Sequence, residues 1–237
     1  MRKKLLHREA EEGGRLTRYA LIFNLNRCVR CRTCYIACKW EHGIPFHPRD
    51  EAHPREYYRL RYVSWEWGSY PDVRRAHIPI ICMHCDDPIC IDFCPTQAIV
   101  KRGDGIVYVD KERCNGCGVC VHVCPYGALY IGPDGKADGC DLCVDRVDSG
   151  LEPRCVEECP ARAIIFGDLD DEEGQAHRLV SSGEARPLLL DGVKGTSVYY
   201  VPSRNERWDE LPRDMNFLKA LGERKRDLPP IKGLIRG

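Results

Sequence analysis

The 237-residue sequence predicts an α+β fold built from a duplicated small unit, with short strands and helices arranged around cysteine runs. Two observations predict it. The 16 cysteines gather into four runs instead of scattering, and three runs end in Cys-Pro: Cys94-Pro95, Cys124-Pro125 and Cys159-Pro160. After each Cys-Pro comes an apolar stretch of strand character, so the order cysteine, proline, short helix, strand recurs along the chain. A chain of this length buries a core without cross-links, so the cysteines are not needed as staples. With 36 basic and 36 acidic residues the net charge is zero, which gives no bias toward nucleic acid or acidic lipid.

Met1 to Arg18 is charged and without period, and is read as a loose arm (1–18). Tyr19 to Leu25 is a first strand that feeds into Cys28, Cys31, Cys34 and Cys38; with the following segment this makes a unit over 19–72. Glu41 to Asp72 is too long for a plain loop and is read as an insertion that covers metal sites or meets a partner, with a strand over Tyr58 to Trp65. His77 to Ile81 leads into the central unit, 73–136, which holds the second and third runs. Ile99 to Asp110 reads as a hairpin turning at Gly103-Asp104-Gly105. Ala128 to Lys136 and Ala163 to Phe166 are the matching strand segments. The fourth run opens the unit 137–202, where a helix over Glu173 to Ser182 and a last strand over Ser197 to Pro202 follow. The tail, 203–237, is charged and reads either as a disordered end or, given the anchors Trp208, Leu211, Phe217 and Leu218, as an arm lying along a partner.

The central runs carry the chemistry. They read C-M-H-C-D-D-P-I-C-I-D-F-C-P and C-N-G-C-G-V-C-V-H-V-C-P, the spacing of a two-cluster ferredoxin in which the fourth cysteine of each run ligates the other run's cluster. Tight loops wrap three thiolates around one cubane. The fourth cysteine is expected to begin a helix pointing away, with proline in its first turn. One 4Fe–4S cluster is therefore assigned to Cys82, Cys85, Cys90 and Cys124, and a second to Cys94, Cys114, Cys117 and Cys120. The first run, N-R-C-V-R-C-R-T-C-Y-I-A-C-K-W, finds its partner far downstream in Cys140, Cys143, Cys155 and Cys159. The same swap assigns Cys28, Cys31, Cys34 and Cys159 to a third cluster and Cys38, Cys140, Cys143 and Cys155 to a fourth. Sixteen cysteines over four ligands each leave none unused.

Disulfides fit short secreted chains, and the N-terminal MRKKLLHREAEEGGRLTRYALIF shows no signal-length apolar run and no twin-arginine pair; the protein is expected to be cytoplasmic on this basis. No stretch approaches the ~20 apolar residues of a membrane span. Zinc sites use pairs of cysteines and have no use for repeated trios. A zinc-bound interaction module is thus the weaker alternative. Arg27, Arg30, Arg32 and Lys39 surround the first run, and positive charge favours a reduced cluster, so one cluster there is expected at higher potential and sensitive to Arg30→Ala. His84 and His122 lie inside complete ligand sets and are expected to pack or hydrogen-bond. His42, His47, His53 and His77 are too irregularly spaced to read as a metal site. Trp40, Trp65 and Trp67 read as core or interface aromatics. No phosphate loop, nucleophile triad or paired carboxylate is found, so no catalytic residue is assigned.

The four runs in this order, with the phrases Y-P-D-V-R-R-A-H-I-P-I-I-C-M-H-C-D-D-P-I-C and C-D-L-C-V-D-R-V-D-S-G-L-E-P-R-C-V-E-E-C-P-A-R-A-I, resemble the electron-transfer subunits of the dimethyl sulfoxide reductase superfamily, in particular polysulfide, tetrathionate and arsenate reductase iron–sulfur subunits. The resemblance covers about Leu21 to Asp170 and the last strand. It implies a ferredoxin-like subunit with four 4Fe–4S clusters, not an enzyme by itself. Its implied partner is a molybdenum- or tungsten-pyranopterin catalytic subunit, joined by a membrane anchor with quinone chemistry or another redox protein. It also implies a second possible address, outside the cytoplasm by co-export with a signal-bearing catalytic subunit. A free polyferredoxin carrier is the alternative within iron–sulfur chemistry.

Overall fold

The computed structural model describes residues 17–46, 57–203 and 208–210. Leu211, Phe217, Leu218, His47 and His53, and the arm up to Leu16, lie outside the described residues. The fold is mixed α and β, with small sheets and short helices. In chain order the elements are β1 (Tyr19–Asn24), α1 (Thr33–Glu41), β2 (Arg61–Ser69), β3 (Asp72–Ile80), α2 (Ile89–Asp92), β4 (Ile99–Lys101), β5 (Val107–Val109) and α3 (Val119–Val123). They continue with β6 (Tyr130–Ile131), β7 (Ala137–Asp138), α4 (Val144–Val147), α5 (Arg154–Glu157), β8 (Ile164–Asp168), α6 (Gln175–Ser181), β9 (Arg186–Pro187) and β10 (Val198–Val201). A 3-10 turn covers Trp208–Glu210.

The largest sheet runs β8-β1-β10-β9. β1 lies antiparallel to β8 and parallel to β10, so the two ends of the described chain meet in one sheet. Its sequence is a continuous apolar run because both faces are covered. Leu21 and Phe23 join Ile164, Val198 and Tyr200 on the main core, while Ala20 and Ile22 join Ile165, Tyr199 and Ala176 of α6 on the other side. That alternation is the period of two of a strand. Each large side chain so buried contributes roughly 1.5–3 kcal/mol. Trp208 is buried against Tyr200, ring centroids 5.2 Å apart, so the first of the expected tail anchors packs on this chain's own core.

The remaining strands pair as hairpins, and each hairpin delivers cysteines. β4 pairs with β5 from Ile99↔Val109, which sets the segment just after Cys94 next to the segment just before Cys114. β6 pairs with β7, returning the segment after Cys124 toward Cys140. In the large sheet, Phe23↔Ile164 sets the strand that leaves for Cys28 next to the strand that arrives from Cys159. β2 and β3 form a ribbon from Arg61↔Ile80 to Ser69↔Asp72. This strand starts later than expected and its partner crosses position 72, because aromatic and charged residues alternate here and give no clean apolar period. At its turn Gly68 has φ +89°, and a Cβ there would strike the Asp72 carbonyl oxygen. Helices pack in pairs, α1 on α5 and α2 on α3, which joins the first run to the fourth and the second to the third.

One expectation is corrected. No helix begins at the fourth cysteine of the Cys-Pro runs. The short helices α2, α3 and α5 end just before or at Cys94, Cys124 and Cys159, and the proline follows as a terminator. Gln97, Gly127 and Arg162 then take positive φ (51°, 56° and 46°), turning the chain straight into a strand. In the first run Lys39 stands where the others have proline, and α1 runs through Cys38, with His42 N–H bonded to the Cys38 carbonyl.

Candidate iron–sulfur sites

Each run opens with C-x-x-C, and the backbone of all four loops shares one feature. The residue before the second cysteine has a left-handed conformation: Arg30 at φ 60°, His84 at 46°, Gly116 at 71° and Leu142 at 53°. Three of these four are not glycine, and each carries a strain of roughly 1–2 kcal/mol. A left-handed residue in a tight loop makes successive N–H groups converge, which forms a nest for an anion. The turn after each Cys-Pro adds a further donor. Ala98, Ala128 and Ala163 give their N–H groups to Cys94, Cys124 and Cys159 Sγ at 3.2, 3.5 and 3.2 Å. Ala137 N–H does the same for Cys114 at 3.3 Å. These are donors suited to thiolates.

The thiols fall into four neighbourhoods. Cys34 has Cys28, Cys159 and Cys31 as neighbours. Cys140 has Cys38 and Cys143, and Cys155 has Cys140, Cys38 and Cys143 first, with Cys34 beyond them. Cys82 has Cys90, Cys85 and Cys124. Cys120 has Cys114, Cys117 and Cys94 first, with Cys124 beyond them. Two neighbourhoods border small pockets that open to the surface. One is lined by Cys28, Cys31, Cys34 and Cys159 with Phe23, Tyr62 and Ile164. The other is lined by Cys94, Cys114, Cys117 and Cys120 with Val109 and Ala137.

A single zinc would need all four sulfurs about 2.3 Å from one point. Among the described residues no three Cys, His, Asp or Glu side chains stand close enough to share one ion. All 16 cysteines are free of disulfides. Burial pushes the Cys34 and Cys143 thiols up to about 11 and the Cys85 and Cys120 thiols to about 12, and it raises Cys38, Cys82, Cys90, Cys140 and Cys155 as well. Thiols of this kind are poor nucleophiles. They become thiolates only where a cationic metal core replaces the proton. Thiol sets, apolar pockets and inward N–H groups together fit 4Fe–4S clusters.

The other predicted residues are dispersed. Arg27, Arg30 and Arg32 are exposed on the first run, whereas Lys39 is buried, its Nζ over the Tyr35 and Phe46 rings and bonded to the Pro45 carbonyl. The expected basic ring is therefore three surface arginines near Cys28 and one inward lysine. His84 is fully buried, and burial lowers it to about 4, so it is neutral. Its Nδ1 accepts from Val107 N–H at 2.9 Å. His122 is half-buried on α3, and His77 bonds Ser64 Oγ at 2.7 Å on the β2–β3 ribbon. Trp67 packs at the core edge, and Trp40 is 77% exposed.

Sequence reasoning missed Tyr62 and Arg59 and set His42 aside, all three in the insertion. Tyr62 Oη lies 2.9 Å from Cys34 Sγ. His42 Nε2 lies 3.3 Å from Cys143 Sγ. Arg59 holds His42 from behind and pairs with Asp138 and Asp141. Only the position of His42, one helical turn after Cys38, was a usable signal.

Comparison with known proteins meets this geometry. The 4Fe-4S dicluster domain family matches residues 73–169, and a 4Fe-4S binding domain matches residues 25–46. The B subunit of tetrathionate reductase from Salmonella typhimurium is 37% identical, over 81% of this sequence and 76% of its own length. This protein belongs to the iron–sulfur subunits of the dimethyl sulfoxide reductase superfamily. The B subunit of sulfite dehydrogenase from Allochromatium vinosum is 33% identical over 92% of this sequence and 96% of its own. The B polypeptide of anaerobic dimethyl sulfoxide reductase from Escherichia coli is 38% identical over 65% and 76%. As an iron–sulfur subunit the protein binds multiple 4Fe–4S clusters and relays electrons without transforming a substrate itself. Among the described residues no helix is long and apolar enough to cross a membrane.

Proposed function

We propose that this iron–sulfur subunit holds four 4Fe–4S clusters, in the sets Cys28/Cys31/Cys34/Cys159, Cys38/Cys140/Cys143/Cys155, Cys82/Cys85/Cys90/Cys124 and Cys94/Cys114/Cys117/Cys120, and relays electrons to or from a molybdenum- or tungsten-pyranopterin catalytic subunit. Each cluster, when bound, takes up and returns one electron. The observation that carries the reading is the left-handed residue repeated before the second cysteine of all four C-x-x-C loops, three times at a non-glycine residue. Strain of that kind persists where a ligand requires it.

The protein's own residues then do three things. Thiolates fix the clusters. Backbone N–H groups and Tyr62 donate toward the sulfurs. The apolar cores keep water from the sites. The fold is a pair of duplicated ferredoxin-like units, with the runs of 19–72 and 137–202 bracketing the central unit 73–136. The segment 1–18 is a loose arm, and the C-terminal arm within 203–237 meets the partner past Trp208. The relatives include both reductases and a dehydrogenase, so the direction of flow belongs to the catalytic partner.

Purification of the native complex without oxygen tests this. Iron with molybdenum or tungsten in one particle supports the reading. A loaded chain that runs alone, with neither heavy metal in any associated fraction, refutes the partner and leaves a free polyferredoxin.

A further inference from the structure

We propose that His42 sets the potential of one cluster, by donating its Nε2–H to the Cys143 thiolate. The proposal rests on the assignment of Cys38, Cys140, Cys143 and Cys155 to a common cluster. Its geometry is built from both sides of the ring. Arg59 Nη1 lies 3.0 Å from His42 Nδ1. A guanidinium nitrogen only donates, so Nδ1 accepts and the ring proton sits on Nε2. That nitrogen is 3.3 Å from Cys143 Sγ. A thiolate there has no proton to give, so the bond runs from nitrogen to sulfur.

Arg59 is itself held in place. It pairs with Asp138 at 3.0 Å and Asp141 at 2.8 Å, the acids that flank Gly139 and Cys140. Cys143 N–H donates to Asp141 Oδ1 at 2.9 Å. The loop from 138 to 143 and the end of α1 are therefore tied through one guanidinium, and the imidazole cannot turn without breaking that tie. Its role is that of a positioning residue, fixed in tautomer and aim by Arg59.

The sign follows from charge. Reduction adds one electron to the cluster and its thiolates, and the histidine proton stays on Nε2 throughout. A hydrogen bond to sulfur strengthens as the acceptor becomes more negative. It therefore favours the reduced state and raises the potential.

The test is a redox titration, followed by electron paramagnetic resonance, of the cluster-loaded protein and two variants. His42→Phe keeps a ring and removes the donor; His42→Gln keeps an amide donor. The proposal expects one of four midpoints to fall in His42→Phe, the other three to hold, and His42→Gln to recover part of the fall. A full iron content with all four midpoints unchanged in His42→Phe overturns it. An iron content lacking in the wild type would instead refute the cluster assignment. If His42→Phe fails to load, pulsed resonance on reduced wild type labelled with [15N]histidine decides. A histidine-nitrogen coupling that disappears in His42→Gln or is replaced there supports the proposal; a coupling left intact in His42→Gln, or none in wild type, overturns it.

Discussion

The phenolic oxygen of Tyr62, on β2, stands 2.9 Å from Sγ of Cys34 on α1. The insertion expected to cover the metal sites thus touches one of the proposed ligand cysteines directly. With Cys34 as a thiolate, Tyr62 is the donor. Tyr62→Phe removes that donor and keeps the ring, so the reduced state of the cluster at Cys34 loses stabilisation. A fall in one midpoint on the order of tens of millivolts is expected, since a net hydrogen bond is worth about 1 kcal/mol and about 59 mV is tenfold for one electron. Potentiometric titration of the loaded protein checks it, and an unchanged set of midpoints would remove Tyr62 from the account.

Gly116 has φ +71°, and a Cβ there would collide with the Gly135 carbonyl oxygen. Gly116→Ala forces the Cys114–Cys117 loop to move. The expected result is loss of one cluster, with iron falling from about sixteen to about twelve per chain at four irons per cubane. Gly103→Ala in the β4–β5 turn meets nothing within 4 Å and should keep full iron. Equal iron in both variants would show that the loop tolerates the change.

The ligand swap has its own signature. Cys124 lies in the third run but neighbours Cys82, and the proposed assignment sets it with Cys82, Cys85 and Cys90. Cys124→Ser and Cys85→Ser should therefore alter the same resonance signal, and Cys117→Ser a different one. If Cys124→Ser and Cys117→Ser altered one signal together, each run would hold its own cluster and the assignment would fail.

Tyr126 follows the Cys124-Pro125 turn and is fully buried. Its hydroxyl donates to the Leu188 carbonyl at 2.7 Å and accepts from Leu190 N–H at 3.4 Å. Tyr126→Phe leaves two buried backbone groups without that partner, a cost of about 1–3 kcal/mol. Thermal unfolding of the loaded protein should show a clear fall in Tm. Tyr70→Phe, at a residue 93% exposed, should show none.

The four cysteine runs were legible because C-x-x-C spacing is local, set within a few residues. The strand segments after Cys94, Cys124 and Cys159 were legible for the same reason. The direction of the short helices was not, because proline serves both in a first helical turn and just past a helix end, and only the positive φ of Gln97, Gly127 and Arg162 separates the two. The β1–β10 pairing was also hidden, since Leu21 and Val198 carry no local sign of each other. Spacing put His42 one helical turn after Cys38, but nothing local showed Arg59 reaching it from a segment with no period.

The most direct test of the central claim is iron and acid-labile sulfide per chain, on protein isolated natively without oxygen. Four cubanes predict about sixteen of each per chain, with a broad absorption that bleaches on reduction. Four metal ions per chain with no sulfide, or zinc in place of iron, would contradict it and take the relay down with the ligand sets.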